Sequence, residues 1–397
     1  MPMPPSLSQS TAVVCLALAC SGAARAAPYV PDSDAQVVER LPLKSGDRAA
    51  RELAALRARW RQEPQSIEAA TALAMAYIEQ ALAEGDPRYV GYAQSTLQPW
   101  WNMPEPPAPV RTLRAIVLQY DHRFDAALAD LSAATQAQPD DALAWSWATA
   151  IHLVRADVGA ARQSCERLAE LTPELVGAAC RAQIDALSGR AGAAAASLRG
   201  ALQSNPDADP ALRLWALTRL AETDERRGDA ASAERAYRDA LALQRPDVYL
   251  LAAYADFLLD RGRAGEVLVL LKDQARADVL LLRLAIAAKG ANDARRDAFA
   301  REMAARFDAA RARGDTSHQK EESRFVLAVQ GQPERALQLA LANYQQQKEV
   351  ADARIVLEAA VAARQRARAE PVLRWMAESG VESPALRSLA TQLEAMK

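Results

Sequence analysis

The chain has 397 residues, of which 50% are apolar but only 5% are aromatic. It contains 91 alanines and only seven isoleucines, a composition that favours helices and excludes an all-β fold. The formal net charge of −2 provides no basic surface for nucleic acid, and the apolar content is too high for a disordered chain. Three histidines and four cysteines leave little material for metal or redox chemistry.

The N-terminus has the pattern of a secretory signal peptide. Residues 11–20 form a short apolar run, and Ala24-Arg25-Ala26 follows with the small-x-small form of a cleavage site. The run is too short to span a bilayer, which takes about 20 apolar residues. We therefore expect a signal peptide over residues 1–26 and a mature protein in the periplasm or outside the cell. The absence of Lys and Arg from residues 1–10 keeps open a second interpretation, an alanine-rich leader.

Cys20 offers an alternative to cleavage after Ala26. The residues before it, Leu16 to Ala19, loosely resemble a bacterial lipobox, in which the cysteine is lipidated and becomes the first mature residue. The protein would then be an outer-membrane lipoprotein. No other segment of the sequence is long and apolar enough to cross a membrane, so this anchor is the only membrane contact we expect.

A repeat of about 34 residues runs through the middle of the chain. Small residues suited to helix contacts recur with spacings of 34, 33 and 39, at Ala127, Ala161, Ala194 and Ala233. Bulkier residues follow four places later, at Leu131, Cys165, Leu198, Tyr237 and Leu271. A third column, predicted to lie in turns, comprises His122, Ala156, Gly189, Gly228 and Gly262. Several columns in one phase indicate a repeat architecture.

Each repeat reads as two helices. In residues 142–173 an alanine-rich first helix is followed by a second helix, and Pro173 ends the unit because proline cannot continue a helix. With Trp145, Ala161 and Pro173 at the matching consensus positions, the unit resembles the tetratricopeptide repeat. The resemblance is strong over residues 108–281 and weaker after that. It implies an all-α fold, a right-handed α-solenoid of stacked helix-turn-helix units.

The predicted organisation has five parts. They are a signal peptide (1–26), an extended lead-in (27–49), a helical pair with a proline-rich loop (50–107), the repeats (108–383) and a capping helix (384–397). In the last of these, Ser383 is the expected N-cap and Pro384 the first helical residue.

The sequence contains no motif of a catalytic site. A GxSxG motif, a glycine-rich phosphate loop, HExxH and CxxC are all absent, and no histidine stands at metal-ligand spacing from a carboxylate. We therefore expect no enzyme activity, no cofactor and no metal.

The resemblance implies a concave groove lined by the first helices, and it carries over a set of groove positions. They are Ile116, Tyr120, Ser146, Gln183, Trp215, Glu222, Glu225, Tyr249, Asp256 and Asp260. An acidic groove with aromatic residues would suit an extended peptide with basic side chains. The alternative is that the charges form an ordinary solvated face and the aromatic residues belong to the core. The basic cluster with which this family binds a terminal carboxylate does not occur at these positions.

Cys165 and Cys180 lie on helices that are antiparallel neighbours in this architecture. They stand at similar distances from the turn at Pro173, so a disulfide is geometrically feasible in an oxidising compartment. Two separate buried cysteines are the alternative.

The sequence as a whole predicts a non-catalytic scaffold of the bacterial cell envelope, which binds a peptide or protein partner. Two alternatives stay open: an outer-membrane lipoprotein that acts in assembly or secretion, and an accessory subunit of an envelope enzyme complex.

Overall fold

The computed structural model describes Ser33, Gln36 and residues 48–396 apart from Pro246 and Thr316. Within these residues the regular structure is entirely helical. The helices are α1 (Arg48–Gln62), α2 (Ile67–Glu84), α3 (Arg88–Thr96), α4 (Gln98–Trp101), α5 (Ala108–Tyr120), α6 (Phe124–Ala137), α7 (Ala142–Val154), α8 (Val158–Leu171), α9 (Glu174–Ala186), α10 (Ala191–Ser204), α11 (Pro210–Arg226), α12 (Ala230–Ala242), α13 (Val248–Leu259), α14 (Ala264–Leu270), α15 (Asp278–Gly290), α16 (Arg296–Ala312), α17 (Gln319–Phe325), α18 (Pro333–Tyr344), α19 (Val350–Ala363), α20 (Glu370–Ser379) and α21 (Pro384–Glu394). A π-helical turn (Val326–Gln330) precedes α18, and a 3₁₀ turn (Arg366–Ala369) precedes α20.

The chain divides into two units, Met1–Arg51 and Glu52–Lys397. In the first unit the described residues are Ser33, Gln36 and the first turn of α1, and the main-chain nitrogen of Gln36 donates to the oxygen of Ser33 at 3.0 Å. The predicted signal peptide, Cys20 and almost all of the predicted lead-in lie outside the described residues.

The second unit is an α-solenoid. Its helices pack as successive hairpins, α5 with α6, α7 with α8, and so on to α18, while α19 packs against α20 and α21. The expected fold class, an all-α solenoid of stacked helix-turn-helix units similar to tetratricopeptide repeats, is confirmed. Because each hairpin is apolar on both faces, it buries those faces only by stacking on its neighbours.

The columns predicted from the sequence spacing form the contacts between helices. Ala127, Ala161 and Ala233 are fully buried, and Ala194 is almost so. The bulkier column is buried without exception, from Leu131 through Cys165 to Leu271. Because alanine has only a methyl side chain, paired helices approach closely at these positions and bury larger neighbours between hairpins. The alanine content of the chain therefore serves packing as well as helix propensity.

The turn between the two helices of a hairpin has the same backbone conformation in successive units. One residue in each turn has a positive φ, which brings the second helix back antiparallel to the first. These residues are His122, Ala156, Gly189, Gly228, Gly262, Asn292, Gly331 and Arg364. Glycine accommodates this conformation without strain, whereas alanine adopts it at a steric cost.

Aspartate side chains begin several of the helices. The carboxylates of Asp141, Asp209 and Asp247 accept hydrogen bonds from main-chain amides in the first turns of α7, α11 and α13. At the end of the chain, the Ser383 hydroxyl oxygen accepts from the amide of Leu386 at 3.3 Å and caps α21. These bonds satisfy donors that have no partner inside the helix.

The region expected to hold one helical pair and a proline-rich loop is more helical than the sequence suggested. It contains the four helices α1 to α4. Pro64 separates the first two, since α1 ends before it and α2 begins after the N-cap Ser66. The proline-rich loop was expected over the segment QPWWNMPEPPAPV, residues 98–110, and this expectation is wrong at both ends of the segment. Gln98–Trp101 forms the short helix α4, and α5 begins at Ala108, since a proline in the first turn of a helix loses no internal hydrogen bond.

The late hairpins lie against the inter-helix turns of the early ones. A Cβ atom added to Gly85, after α2, would lie 3.1 Å from the Cβ of Ala277, before α15. The main-chain nitrogen of Lys348, before α19, donates to the oxygen of Val154 at 2.7 Å. The solenoid therefore turns back on itself within the second unit, and its first helices enclose a narrow inner face.

Candidate functional site

The inner face is built by the first helices of the later hairpins. We use this name for the surface that comprises Arg219, Glu222, Tyr249, Asp256, Asp260, Arg283, Lys320, Arg324, Glu349 and Arg354. These residues come from α11, α13, α15, α17 and α19, except for Asp260, which directly follows α13, and Glu349, which directly precedes α19. Members of this surface as far apart in the chain as Arg219 and Glu349, which are separated by four hairpins, influence one another electrostatically.

Tyr249 is the exposed aromatic residue of this surface. Half of its surface (50%) is open to solvent. Its hydroxyl donates to the Glu222 carboxylate, and the Arg219 guanidinium donates to the same hydroxyl at 2.8 Å and lies over the ring, 4.5 Å from its centroid. Burial among the inner-face helices raises the pKa of Tyr249 above its ordinary value; Arg219 opposes the rise and Glu222 adds to it, so the phenol stays neutral. Its ring is thus fixed in place while one side remains accessible.

The carboxylates of α13 are paired with arginines from later hairpins. Asp256 accepts from Arg283 at 2.5 Å and forms an ion pair with Arg324 at 2.7 Å. Asp260 accepts from both terminal nitrogens of Arg354, at 2.5 and 2.6 Å. Burial alone would raise the pKa of Asp256, but Arg283 and Arg324 hold it below its ordinary value.

These pairings correct the expectation of an acidic groove. Glu222 lies on α11, and Asp256 and Asp260 lie one turn apart at the end of α13, but each carboxylate faces a guanidinium. The sequence pattern could not supply two of the cations, Arg324 and Arg354, because they lie two and three hairpins further along the chain than the carboxylates they pair with. The inner face is therefore charged but largely neutralised, and basic peptide side chains would find little free negative charge on it.

Glu225 differs from the other carboxylates of this region. Its side chain accepts a hydrogen bond from the Tyr237 hydroxyl at 2.6 Å, and within the described part of the chain no ion pair joins it to a base. Burial raises its pKa to about 7; the Tyr237 hydrogen bond opposes the rise and the charges of Glu222 and Asp260 add to it. The predicted groove residue is thus a half-buried acid that packs between α11 and α12.

Gln183 and Trp215 are only partly open to solvent. Trp215 packs against the core that α9 to α15 form. When the Gln183 amide is oriented with its oxygen toward Arg219, that oxygen accepts from the Arg219 Nε at 2.9 Å. Gln183 therefore extends the polar network of the inner face by one hairpin.

The predicted groove residues of α5 and α7 differ in how exposed they are. Ile116 is buried (4% exposed) in the N-terminal core, so its prediction as a groove contact is wrong. Tyr120 packs at the edge of the same core, and burial raises its pKa to about 12. Ser146 is exposed on α7. The family positions alone could not predict this difference, because the early hairpins bury positions that are open in a regular groove.

Cys165 and Cys180 meet between α8 and α9. Their Cα atoms are 6.1 Å apart, and the two sulfur atoms lie at bonding distance as a disulfide. Both side chains are buried in a small core with Leu168 and Ile184. The pair therefore joins two consecutive hairpins covalently.

A pocket between α1 and the hairpin α2–α3 was not predicted from the sequence. It has a volume of about 290 Å³ and is lined by Arg57, Trp60, Arg61, Tyr77 and Tyr92. We call it the α1–α2 pocket. Its residues precede the recognisable repeats, so no column of the repeat pattern includes them. A signal was nevertheless present: two arginines one helical turn apart with a tryptophan between them.

A second cavity, of about 370 Å³, lies where the late hairpins meet the turns of the early ones. Leu153, Val158, Leu187 and Trp375 give it an apolar wall, and Lys348 and Glu378 stand among its polar lining residues.

Residues 48–396, with their two gaps, contain no group of histidine, cysteine and acidic side chains able to hold a metal ion. None of the helices there meets the length and hydropathy that a membrane span requires. Cys20, the predicted lipidation site, lies outside the described residues.

Comparisons with known proteins give a similarity to a solved structure but no family. No family model matches the sequence, and no curated protein does. Among solved structures, the chain is similar to a tetratricopeptide repeat protein from Parabacteroides merdae ATCC 43184, with 14% identity and a TM-score of 0.36 over 72% of this chain and 98% of that one. The description of this chain as a helical repeat protein similar to tetratricopeptide repeats rests on its own hairpins, their buried alanine columns and their left-handed turns.

Proposed function

We propose that the protein is a non-catalytic interaction scaffold of the bacterial cell envelope, which binds a peptide or protein partner on its inner face. The observation that carries the proposal is Tyr249, a large aromatic side chain that is half exposed and already fixed by Arg219 and Glu222. Exposed, immobilised tyrosines are typical anchors of protein interfaces because they bury much area at a small entropic cost.

The surroundings of Tyr249 narrow the kind of partner. Since the neighbouring carboxylates are paired with arginines, the partner gains little from basic side chains. A neutral or mixed-charge segment that packs on the ring and exchanges hydrogen bonds with Arg219 suits this surface better than the basic peptide expected from the sequence.

Location in the envelope is supported by two separate observations. The first 26 residues have the pattern of a signal peptide, and Cys165 and Cys180 are paired between neighbouring helices, an arrangement that fits an oxidising compartment. Periplasmic or secreted protein is the first expectation, and an outer-membrane lipoprotein anchored through Cys20 is the alternative. Detergent-phase partitioning that is lost in Cys20→Ser would favour the alternative.

Site-specific crosslinking in the native bacterium tests the scaffold. A photoreactive amino acid replaces Tyr249 in the full chain, and the same amino acid replaces Val269 as the control. Val269 is 77% exposed but lies on α14, the second helix of the same hairpin. We expect a discrete crosslinked partner from position 249 and none from position 269. Equal products from both positions, or none from 249, would contradict binding on the inner face.

A further inference from the structure

We propose that the α1–α2 pocket is a second binding site, which takes the carboxylate side chains of an acidic, extended segment of a partner protein. The site is separate from the inner face and widens the scaffold function to a second contact. Its contributors come from α1, α2 and α3, none of which belongs to the inner face.

The first argument is unbalanced positive charge. Arg57 donates its Nε to the Tyr77 hydroxyl at 2.8 Å and lies over that ring, 5.2 Å from the centroid. Neither Arg57 nor Arg61 forms an ion pair with a carboxylate of the described chain. Arg59, between them on the same helix, does pair with Glu68, at 2.9 Å. The two arginines that line the pocket are thus those available to an incoming anion.

The second argument is an unmatched hydrogen-bond donor. The indole Nε1 of Trp60 is buried and has no acceptor among the described residues. Buried polar groups in folded proteins are nearly always hydrogen-bonded, so this donor of a pocket-lining residue indicates an acceptor that the described residues do not supply. An ionised carboxylate only accepts, and it can receive bonds from a guanidinium and an indole together.

The third argument is the shape of the wall. Tyr77, Tyr89 and Tyr92 contact one another with ring centroids 5.5 to 6.1 Å apart. Tyr92 remains 47% exposed, which leaves room for one or two side chains of a peptide beside the arginines. Such a cluster of aromatic rings is a rigid platform for an extended backbone.

The distance between Arg57 and Arg61 predicts how far apart the acidic residues of the bound segment lie. Residues four apart on a helix have Cβ atoms about 5–6 Å apart on one face. In an extended peptide, side chains two residues apart point the same way and are separated by about 6.6 Å. Two acidic residues with one residue between them therefore match Arg57 and Arg61.

The binding experiment uses the full mature chain and a fluorescent, C-terminally amidated peptide of sequence Gly-Glu-Ser-Glu-Gly, followed by fluorescence anisotropy. The same peptide with glutamine in place of both glutamates is the ligand control. Arg61→Gln tests the pocket, and Arg59→Gln is the matched protein control, since it removes one charge from the same helix outside the pocket. We expect Arg61→Gln to weaken binding about tenfold, the effect of losing one charge-assisted hydrogen bond, and Arg59→Gln to change it less than about twofold.

Two further arms sharpen the assignment. Trp60→Phe keeps an aromatic ring but removes the donor, so we expect a loss of about threefold. Binding should also weaken with rising salt, because exposed charges are screened. Polygalacturonate, an acidic polysaccharide, is added as a competitor.

The proposal is overturned by any of three results. They are equal binding of the glutamate and glutamine peptides, equal losses in Arg61→Gln and Arg59→Gln, and binding of the polysaccharide but not of the peptide. None of these results depends on crosslinking at position 249, so failure of the pocket and failure of the inner face are distinguished.

Discussion

Glu225 and Asp256 are acidic residues on neighbouring first helices, and their surroundings shift their pKa values in opposite directions. Burial raises the pKa of Glu225 to about 7, and its hydrogen-bond partner is a tyrosine. Asp256 is held below its ordinary pKa because Arg283 and Arg324 reach it from α15 and α17. The Asp256 carboxylate is therefore neutralised by arginines from later hairpins. The Glu225 carboxyl group, one hairpin earlier, forms no ion pair with a base of the described chain.

The contrast extends to two regions of the solenoid. We call residues 108–242 the early half and residues 248–379 the late half. Within the early half, ion pairs such as Arg162 with Asp185 join a hairpin only to itself or to the next one, as do the alanine contacts and the Cys165–Cys180 link. The late half adds ion pairs that skip hairpins, such as Asp260 with Arg354. Repeats that depend on neighbours alone can be read from one sequence period, whereas long-range charge pairs cannot.

The largest expected effect comes from the covalent link of the early half. Replacement of Cys165 and Cys180 together by alanine should lower the free energy of unfolding by about 3 kcal/mol, because the unfolded chain is no longer closed into a short loop. The measurement is the urea midpoint of oxidised wild type and the double variant. Treatment of wild type with a reductant should reproduce the shift, and two freely alkylated thiols in the native oxidised protein would contradict the link.

Breaking a long-range ion pair of the late half should come next. Asp256→Asn keeps the shape but leaves Arg283 and Arg324 without a carboxylate, so we expect a loss of about 2 kcal/mol in the free energy of unfolding at pH 7. Because the folded pKa of Asp256 lies below the unfolded one, its stabilisation is present above about pH 4 and disappears as the pH falls through the folded value. The difference between wild type and variant should shrink accordingly in acid.

Asp297→Asn is the control for this variant. Asp297 is 73% exposed on α16, and its nearest guanidinium is 3.6 Å away. Exposed pairs contribute little, so this change should cost less than about 0.5 kcal/mol. Equal losses in both variants would show that the pairs across the inner face do not stabilise the late half.

Glu225→Gln should raise the free energy of unfolding, whereas the preceding variants lower it. The raised pKa of Glu225 means that ionisation costs stability as the pH rises from about 4.5 in the unfolded chain to about 7 in the folded one. The glutamine of this variant still accepts a hydrogen bond from Tyr237 but cannot ionise. Allowing for the partial contact of this position with water, we expect a gain of about 1.5 kcal/mol at pH 8 and no gain at pH 4. A gain that does not depend on pH would point to packing instead of charge.

The columns of the repeat were predictable from the sequence because each column residue contacts its own hairpin or the next one. Ala161 and Cys165 are examples, and the left-handed turn at Gly262 follows from the same phase. The partners of the inner face were not predictable in this way. Asp260 and Arg354 are separated by 94 residues, and only the return of the solenoid on itself brings them together.

The α1–α2 pocket could not be predicted from the sequence for a different reason. Its helix α1 precedes the repeat, and its arginines look like any solvated helix face until Tyr77 and Trp60 are placed beside them. Ile116 shows the converse error, since a family position that faces a groove elsewhere is buried here by the extra N-terminal helices. In both cases the information lies in which helix packs on which, a property that local residue patterns do not encode.

The smallest expected effects test whether the same turn is equally strained in the two halves. Ala156 in the early half and Gly262 in the late half have φ values of 60° and 70°. A Cβ atom at Gly262 would meet no atom within 4 Å, so Gly262→Ala isolates backbone strain and should cost about 1 kcal/mol. Ala156→Gly removes that strain but adds chain entropy, so it should gain only about 0.5 kcal/mol. Thermal unfolding of the two reciprocal variants measures both changes. If Ala156→Gly lowers the stability instead, the packing of the Ala156 methyl group at the junction with the late hairpins outweighs the strain of the left-handed turn.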